Sequence, residues 1–176
     1  MTVEEMVKKY NIKLVSDGRV GIYNANRAKK DKMVDTIIAA KPEIVAYLIA
    51  EKESVEKAAA ERKAKIAAIE GLKEIQEAIR DHENYRYKFN RMMEDEFNDG
   101  VNPPTKPQSD IGALKQKYPR AAAYLKADSY AMAANYAKAG AGSTARERII
   151  NGEDYEKVIA DMEKEWSDYC NEHMWD

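Results

Sequence analysis

The stretch IKLVSDGRVGIY, residues 12–23, decides how the N-terminal part of the chain folds. Two runs rich in β-branched and apolar residues flank Asp17-Gly18, a dipeptide typical of tight β-hairpin turns. Apolar side chains alternate with Lys13, Arg19 and Gly21, which predicts one apolar face and one basic, polar face. The apolar set is Ile12, Leu14, Val20 and Ile22. Because a two-stranded hairpin is only marginally stable alone, we expect helices to cover its apolar face.

Helix signals lie on both sides of this hairpin. Thr2 and Glu5 have the spacing of a capping box, which predicts a short helix before the hairpin. After the hairpin, amphipathic spacing predicts a helix over residues 26–40, and Pro42 then begins the next helix. Residues 1–50 are therefore predicted to form a module with the order α-β-hairpin-αα.

A long central helix is predicted over residues 51–99, which contain no proline and only one glycine, Gly71. The sequence leaves open whether this helix is continuous through Gly71. Between Glu51 and Lys65 nearly all apolar residues are alanines, so an exposed single helix is expected there. A stronger apolar stripe follows and predicts packing against other elements; it comprises Ile66, Ile69, Leu72, Ile75 and Ile79.

A proline-rich segment, residues 100–109, is predicted to be a stiff linker and is the clearest domain boundary in the sequence. Residues 110–176 follow with further helix signals, including Asp110 as an N-cap and Pro119 at the start of another helix. This part is predicted to be a C-terminal helical bundle. The predicted fold class is thus mainly α, with an N-terminal α-β-hairpin-αα module, a long central helix and a C-terminal helical bundle.

The charge distribution is uneven along a chain whose net charge is -2. Residues 1–41 carry nine Lys/Arg and five Asp/Glu, so this end is +4 and the remainder is acidic. The single cysteine, the acidic first residues and the lack of a stretch of roughly 18 apolar residues predict a cytoplasmic protein without a membrane partner.

Residues suited to catalysis or metal binding are few. Cys170 and His173 have the i,i+3 spacing of two ligands, but zinc needs three or four. With only two histidines and one cysteine in the chain, little is available for nucleophilic or acid–base chemistry. The sequence therefore predicts a non-catalytic binding protein that uses no metal and no cofactor.

Two charged sets are candidate partner-binding residues. The basic set lies on the hairpin and the helix after it, and comprises Lys13, Arg19, Arg27, Lys29 and Lys30. It is expected to contact an acidic protein segment or a phosphate backbone. The acidic set, at the predicted C-terminal end of the long helix, is Glu94, Asp95 and Glu96. Negative charge there opposes the helix macrodipole, and a role in imitating phosphate toward a basic partner would explain it.

The sequence NIKLVSDGRVGIYN at residues 11–24, followed by KPEIVAYL at residues 41–48, resembles the N-terminal docking domain of hybrid peptide–polyketide synthases of the tubulysin-assembly type. The resemblance implies an αββαα fold. It also implies a hairpin that receives the short tail of a partner protein through charge and strand addition. By position, Lys13 and Arg19 would face such a tail.

Two further stretches, residues 118–142 and residues 149–166, are similar in style to small proteins of phages and mobile elements. Some proteins of this kind are anti-CRISPR inhibitors, so the similarity implies a protein partner, concretely an RNA-guided nuclease or its guide complex in a bacterial cytoplasm. Two alternatives remain open from the residues alone. One is a nucleic-acid-binding or architectural protein led by the basic N-terminal end, and the other is a homo-oligomeric scaffold in which the long helix forms a coiled coil.

Overall fold

The computed structural model describes residues 1–15, 19–94, 103–137 and 140–173. Along these residues the elements are α1 (Val3–Tyr10), β1 (Ile12–Leu14), β2 (Val20–Ile22), α2 (Ala25–Lys30), α3 (Val34–Ala39), α4 (Lys41–Ala67), α5 (Leu72–Glu94), α6 (Ile111–Lys117), α7 (Pro119–Ala137), α8 (Ala141–Ile150) and α9 (Tyr155–His173). The predicted fold class, mainly α with a small N-terminal hairpin, is confirmed. The chain forms two compact units, Met1–Glu61 and Arg62–Asp176.

The predicted capping box is present at the start of α1. The Glu5 N–H donates to Thr2 Oγ1 at 3.2 Å, and the Thr2 N–H donates to Glu5 Oε2 at 2.8 Å. After α1, Asn11 adopts the left-handed conformation (φ 49) and turns the chain into β1. β1 and β2 then pair antiparallel, with Ile12 opposite Ile22, so the hairpin is confirmed, while its turn at residues 16–18 lies outside the described residues.

The single helix predicted over residues 26–40 is wrong, because the structure has two short helices there, α2 and α3. They separate at Asp31 and Lys32, and Lys32 has a positive φ of 54. The hydroxyl of Tyr10 donates to the Asp31 carboxylate at 3.1 Å, which fastens the end of α2 to α1. Hydrophobic periodicity does not reveal this break, because a contact between residues 21 positions apart helps to fix it.

Helices cover the apolar face of the hairpin, as the sequence predicts. Ile12 is buried, and Leu14, Val20 and Ile22 are partly buried against the same core. The buried residues of this first core are Met6, Tyr10, Ile12, Ala28, Ile37, Ile44 and Leu48. They come from α1, β1, α2, α3 and α4, so the hairpin and four helices form one small hydrophobic core.

The long helix predicted over residues 51–99 is interrupted, because α4 ends at Ala67 and α5 begins at Leu72. Gly71 lies between them with a φ of 73, a conformation that residues other than glycine seldom adopt. The ring of Tyr118 lies where a Gly71 side chain would be, and a Cβ built on this glycine would be 2.5 Å from Tyr118 Cδ1. Tertiary packing therefore fixes the break between α4 and α5, because the ring of Tyr118, the residue before α7, occupies the space beside Gly71.

Helices that come before and after the proline-rich segment contribute to one core. Ile69, Leu72 and Ile75 come before this segment, yet they share one core with buried residues of α7, α8 and α9. The latter set includes Ala121, Tyr124, Ala127, Ile149, Val158 and Met162. The apolar stripe of α5 has to be covered, and the C-terminal helices cover it, so the second unit starts well before the prolines.

Small residues let α7 and α8 approach closely. A Cβ built on Gly142 of α8 would lie 2.7 Å from the carbonyl oxygen of Ala127 and 2.6 Å from the carbonyl carbon of Tyr130. Both are main-chain atoms of α7, so the two helices touch backbone to backbone here.

None of the helices that the structure describes combines the length and the apolar character needed to cross a membrane.

Candidate functional site

The outer edge of β1 is the first feature of the candidate site. The Tyr23 N–H donates to the Asn11 carbonyl at 3.2 Å, which makes this pair a hydrogen-bonded pair of the antiparallel ladder. Because such pairs alternate along a ladder, the N–H and C=O groups of Ile12 and Leu14 point away from β2. The described sheet has two strands only, so no third strand occupies this edge within the described residues.

A groove of about 530 Å³ lies along this edge, between β1 and the part of α4 from Leu48 to Glu56. Its apolar lining comes from α1, β1 and α4 and consists of Val7, Ile12, Leu14, Leu48 and Val55. Ile12 and Leu48 belong to the core, so the floor of the groove is the exposed margin of that core. Val55 is 63% exposed and stands on the α4 wall, where the sequence otherwise offers mostly alanine and charged residues.

Charged side chains of both signs surround the groove. Lys13 lies on the β1 side, and Glu51, Lys52 and Glu56 lie on the α4 side. Lys52 and Glu56 are 3.7 Å apart and well exposed, so this ion pair contributes little to stability. A segment with an acidic residue near Lys13 and a basic residue near Glu51 would match this rim, whereas a purely acidic segment would meet repulsion from α4.

The solvent-facing side of the hairpin carries more than the predicted basic residues. Tyr23 is 62% exposed, and the Lys13 ammonium lies 5.5 Å from the centroid of its ring. Val15 lies on the same side, since a Cβ built on Gly21 would touch Val15 and Tyr23 together. Tyr23 was not among the residues predicted for this surface, although the odd-numbered alternation that selects Lys13 and Arg19 extends to position 23.

The structure does not bring the whole basic set together. Arg27 shares a shallow pocket with Tyr23, which connects it to the hairpin surface. Ala28 is the buried residue of α2, and at 100° per residue Arg27 and Lys29 fall on opposite flanks of it, while Lys30 points to solvent. Arg19, like the other members of the set, is exposed.

The acidic set is only partly covered by the structure. Glu94 is the last residue of α5, and nothing further is described of its side chain. Asp95 and Glu96 lie outside the described residues.

Electrostatic interactions hold α2 against α1 beside the hairpin. The Lys9 ammonium, 2.9 Å from Asp31, and then the Tyr10 hydroxyl lower the pKa of Asp31. The same carboxylate raises the pKa of Lys9. These contacts fix the end of α2, which follows directly on β2 and Tyr23.

Within the described residues, no group of three or more His, Cys, Asp or Glu side chains has a geometry that would hold a metal ion. Cys170 is partly buried on α9, and the side chain of His173 is outside what is described.

Comparison of the chain with protein-family models, with curated proteins and with solved structures finds no match.

Proposed function

We propose that the chain is a binding protein whose first unit captures an extended segment of a protein partner as an added strand beside β1. One observation carries the proposal: the outward main-chain groups of Ile12 and Leu14 open onto a groove with an apolar floor and a helical wall. Exposed strand edges are surfaces to which extended peptides add by main-chain pairing.

The geometry sets a pattern for the captured segment. A strand added at the usual spacing of about 4.8 Å would lie between β1 and the α4 wall. Its alternate side chains would point to the apolar lining that includes Leu14, Leu48 and Val55, so every second residue should be apolar. The residues between them would face solvent, where Lys13 favours an acidic neighbour and Glu51 a basic one.

The affinity expected from this arrangement is modest. The edge offers two N–H and two C=O groups, and a hydrogen bond contributes about 1 kcal/mol net. Burial of one or two apolar side chains adds about 1.5–3 kcal/mol each, and immobilising the segment opposes both terms. We expect dissociation constants in the micromolar range or weaker, which corresponds to a binding free energy of about -8 kcal/mol at most.

A matched pair of substitutions tests the groove. Short displayed peptides selected on the full chain should lose at least tenfold in affinity, about 1.4 kcal/mol, when Val55→Glu places a charge on the groove wall. Ile38→Glu is the control, because Ile38 is 61% exposed, belongs to the same unit and lies outside the groove lining. Equal losses in the two variants would contradict the proposal.

Amide hydrogen exchange gives a second, independent readout. A bound strand should slow exchange at the N–H groups of Ile12 and Leu14, which pair with no strand among the residues that the structure describes. If a selected peptide binds while those two amides exchange as fast as before, strand addition at β1 is wrong.

The class of partner is a further part of the proposal, and it rests on the sequence resemblance alone. We propose that the captured segment belongs to a bacterial defence protein, concretely an RNA-guided nuclease, which the chain would inhibit. Cleavage by a panel of such nucleases should fall with the intact chain and recover with Val55→Glu. Full activity of every nuclease at saturating chain would remove this partner class and leave the groove proposal to its own tests.

A further inference from the structure

A second surface, on the second unit, combines aromatic and cationic side chains in a long open trough. The trough has a volume of about 1080 Å³ and lies between α5 and the segment of residues 104–109. The helix contributes Asp81, Asn84, Tyr85, Tyr87, Lys88, Arg91 and Met92, and the segment contributes Pro104, Thr105, Lys106, Pro107, Gln108 and Ser109.

The helical wall of the trough rises ~16 Å from Asp81 to Met92, at 1.5 Å per residue. Residues 104–109 form the opposite wall. His82 Nε2 lies 2.8 Å from the Ser109 carbonyl oxygen and holds that end of the segment against the helix. The trough is therefore an elongated channel and suits a linear ligand.

Cationic side chains line this channel on both walls. Lys88 and Arg91 stand on the helix, Lys106 stands on the segment, and Asp81 at one end is the single acid of the lining. Within the described part of the chain, no carboxylate forms an ion pair with any of the three cations. The described lining therefore carries three cationic side chains against one carboxylate.

An exposed aromatic ring lies among these cations. Tyr87 is 64% exposed, and Arg91 Nη1 donates to its hydroxyl at 3.4 Å. Tyr85, on the neighbouring part of the lining, is half-buried and stacks on Phe89 with a centroid separation of 5.9 Å. Tyr85 is therefore fixed by its neighbour, while the Tyr87 face is open to a planar ligand group.

We propose that this trough binds a single-stranded nucleic acid. The three cations would follow the phosphate backbone, and a base would stack on Tyr87. Single-strand binding generally combines these two parts, a cationic groove along the backbone and aromatic rings that stack on bases. An acidic peptide would satisfy the cations but leave the open ring without a planar partner, so the nucleic acid is favoured.

The binding assay uses the full chain and a labelled oligothymidylate of about twelve nucleotides, followed by fluorescence anisotropy. Three phosphate contacts on a single strand predict a log–log salt slope of about -2, so affinity should fall roughly 16-fold between 50 and 200 mM salt. Tyr87→Ala should weaken binding by roughly fivefold or more, and Tyr87→Phe should retain it because the ring remains. Lys88→Glu and Lys106→Glu should each weaken binding and flatten the salt slope.

Two variants serve as matched controls. Tyr23 is 62% exposed and also has a cation beside its ring, but it lies in the first unit, so Tyr23→Ala should leave oligonucleotide binding unchanged. Lys73 is on α5, is 89% exposed and lies outside the trough lining. Lys73→Glu should therefore change oligonucleotide affinity only slightly, because solvent and salt screen a charge at that distance.

Four results would overturn the proposal. The first is no binding of the oligonucleotide at low salt, and the second is a loss with Tyr23→Ala equal to that with Tyr87→Ala. The third is competition by polyglutamate, at equal charge concentration, as strong as that by unlabelled oligothymidylate, which would identify an acidic-peptide site. The fourth is equal competition by thymidine monophosphate, which would identify a nucleotide site and not a single-strand channel.

Discussion

Replacing Gly71 with alanine tests why the central helix breaks. Two separate costs arise. The first is conformational, since a residue with a Cβ held at a φ of 73 is destabilised by about 1–2 kcal/mol. The second is steric, since the new Cβ would be 2.5 Å from Tyr118 Cδ1 and the ring would have to move; overpacking of this kind costs about 1–3 kcal/mol.

The sum for Gly71→Ala is a loss of about 2–5 kcal/mol in the free energy of unfolding of the second unit. Two other glycines separate the contributions. Gly152 has a φ of 98 and open space around it, so Gly152→Ala should show the conformational cost alone. Gly142 lies against the α7 backbone without a positive φ, so Gly142→Ala should show the steric cost alone.

Urea unfolding followed by tryptophan fluorescence suits this measurement, because Trp166 lies on α9 of the second unit and residues 1–61 contain no tryptophan. A double-mutant cycle adds a direct test of the clash. In a Tyr118→Ala background, the further loss caused by Gly71→Ala should shrink to the conformational cost of about 1–2 kcal/mol. A loss for Gly71→Ala no larger than that for Gly152→Ala, or a loss that Tyr118→Ala leaves unchanged, would refute the steric clash as a cause of the break.

Two further predictions concern single contacts. Because the pKa of Asp31 is lowered on folding, its contribution to stability is present above the unfolded-state pKa, near 3.8, and is lost as pH falls through the lower folded-state pKa. Asp31→Asn should therefore flatten the decline in stability at acidic pH, measured by thermal unfolding from pH 7 downward. An unchanged profile would count against the Lys9–Asp31–Tyr10 contact. His82→Ala should speed limited proteolysis within residues 103–109, because the Ser109 carbonyl loses its side-chain partner. Gln108→Ala is the control, because Gln108 is an exposed residue of the same segment. Identical cleavage rates for the two variants would show that His82 does not hold the segment.

Local signals in the sequence were enough for the elements whose causes are local. The capping box at Thr2 and Glu5 involves residues three apart, and the hairpin follows from alternation on either side of residues 16–18. The breaks at Lys32 and Gly71 are different, because each depends on a partner that is far away in sequence. Tyr10 contacts Asp31 in the first case, and Tyr118 covers Gly71 in the second.

The candidate site was predictable only in part. Lys13 was identified from its place in the hairpin, and it does lie at the rim of the groove. Val55 was not, because its role follows from α4 passing beside β1, and in the sequence it is one apolar residue in a stretch expected to be an exposed helix. The core that α5 shares with the C-terminal helices was not predictable for a similar reason, since prolines mark an extended backbone but do not show whether the flanking segments pack together.

The two close-packed glycines of the second unit differ in how their positions can change during evolution. Beside Gly71 the nearest atoms belong to a side chain, so a smaller residue at position 118 would make room, and Asn or Asp, which tolerate a positive φ, could then replace the glycine. Beside Gly142 the nearest atoms are main-chain atoms of α7, which no single substitution removes. Proteins that share this fold should therefore show paired changes at positions 71 and 118 and an unchanging glycine at 142, and larger residues at 142 among them would show that α7 and α8 can separate.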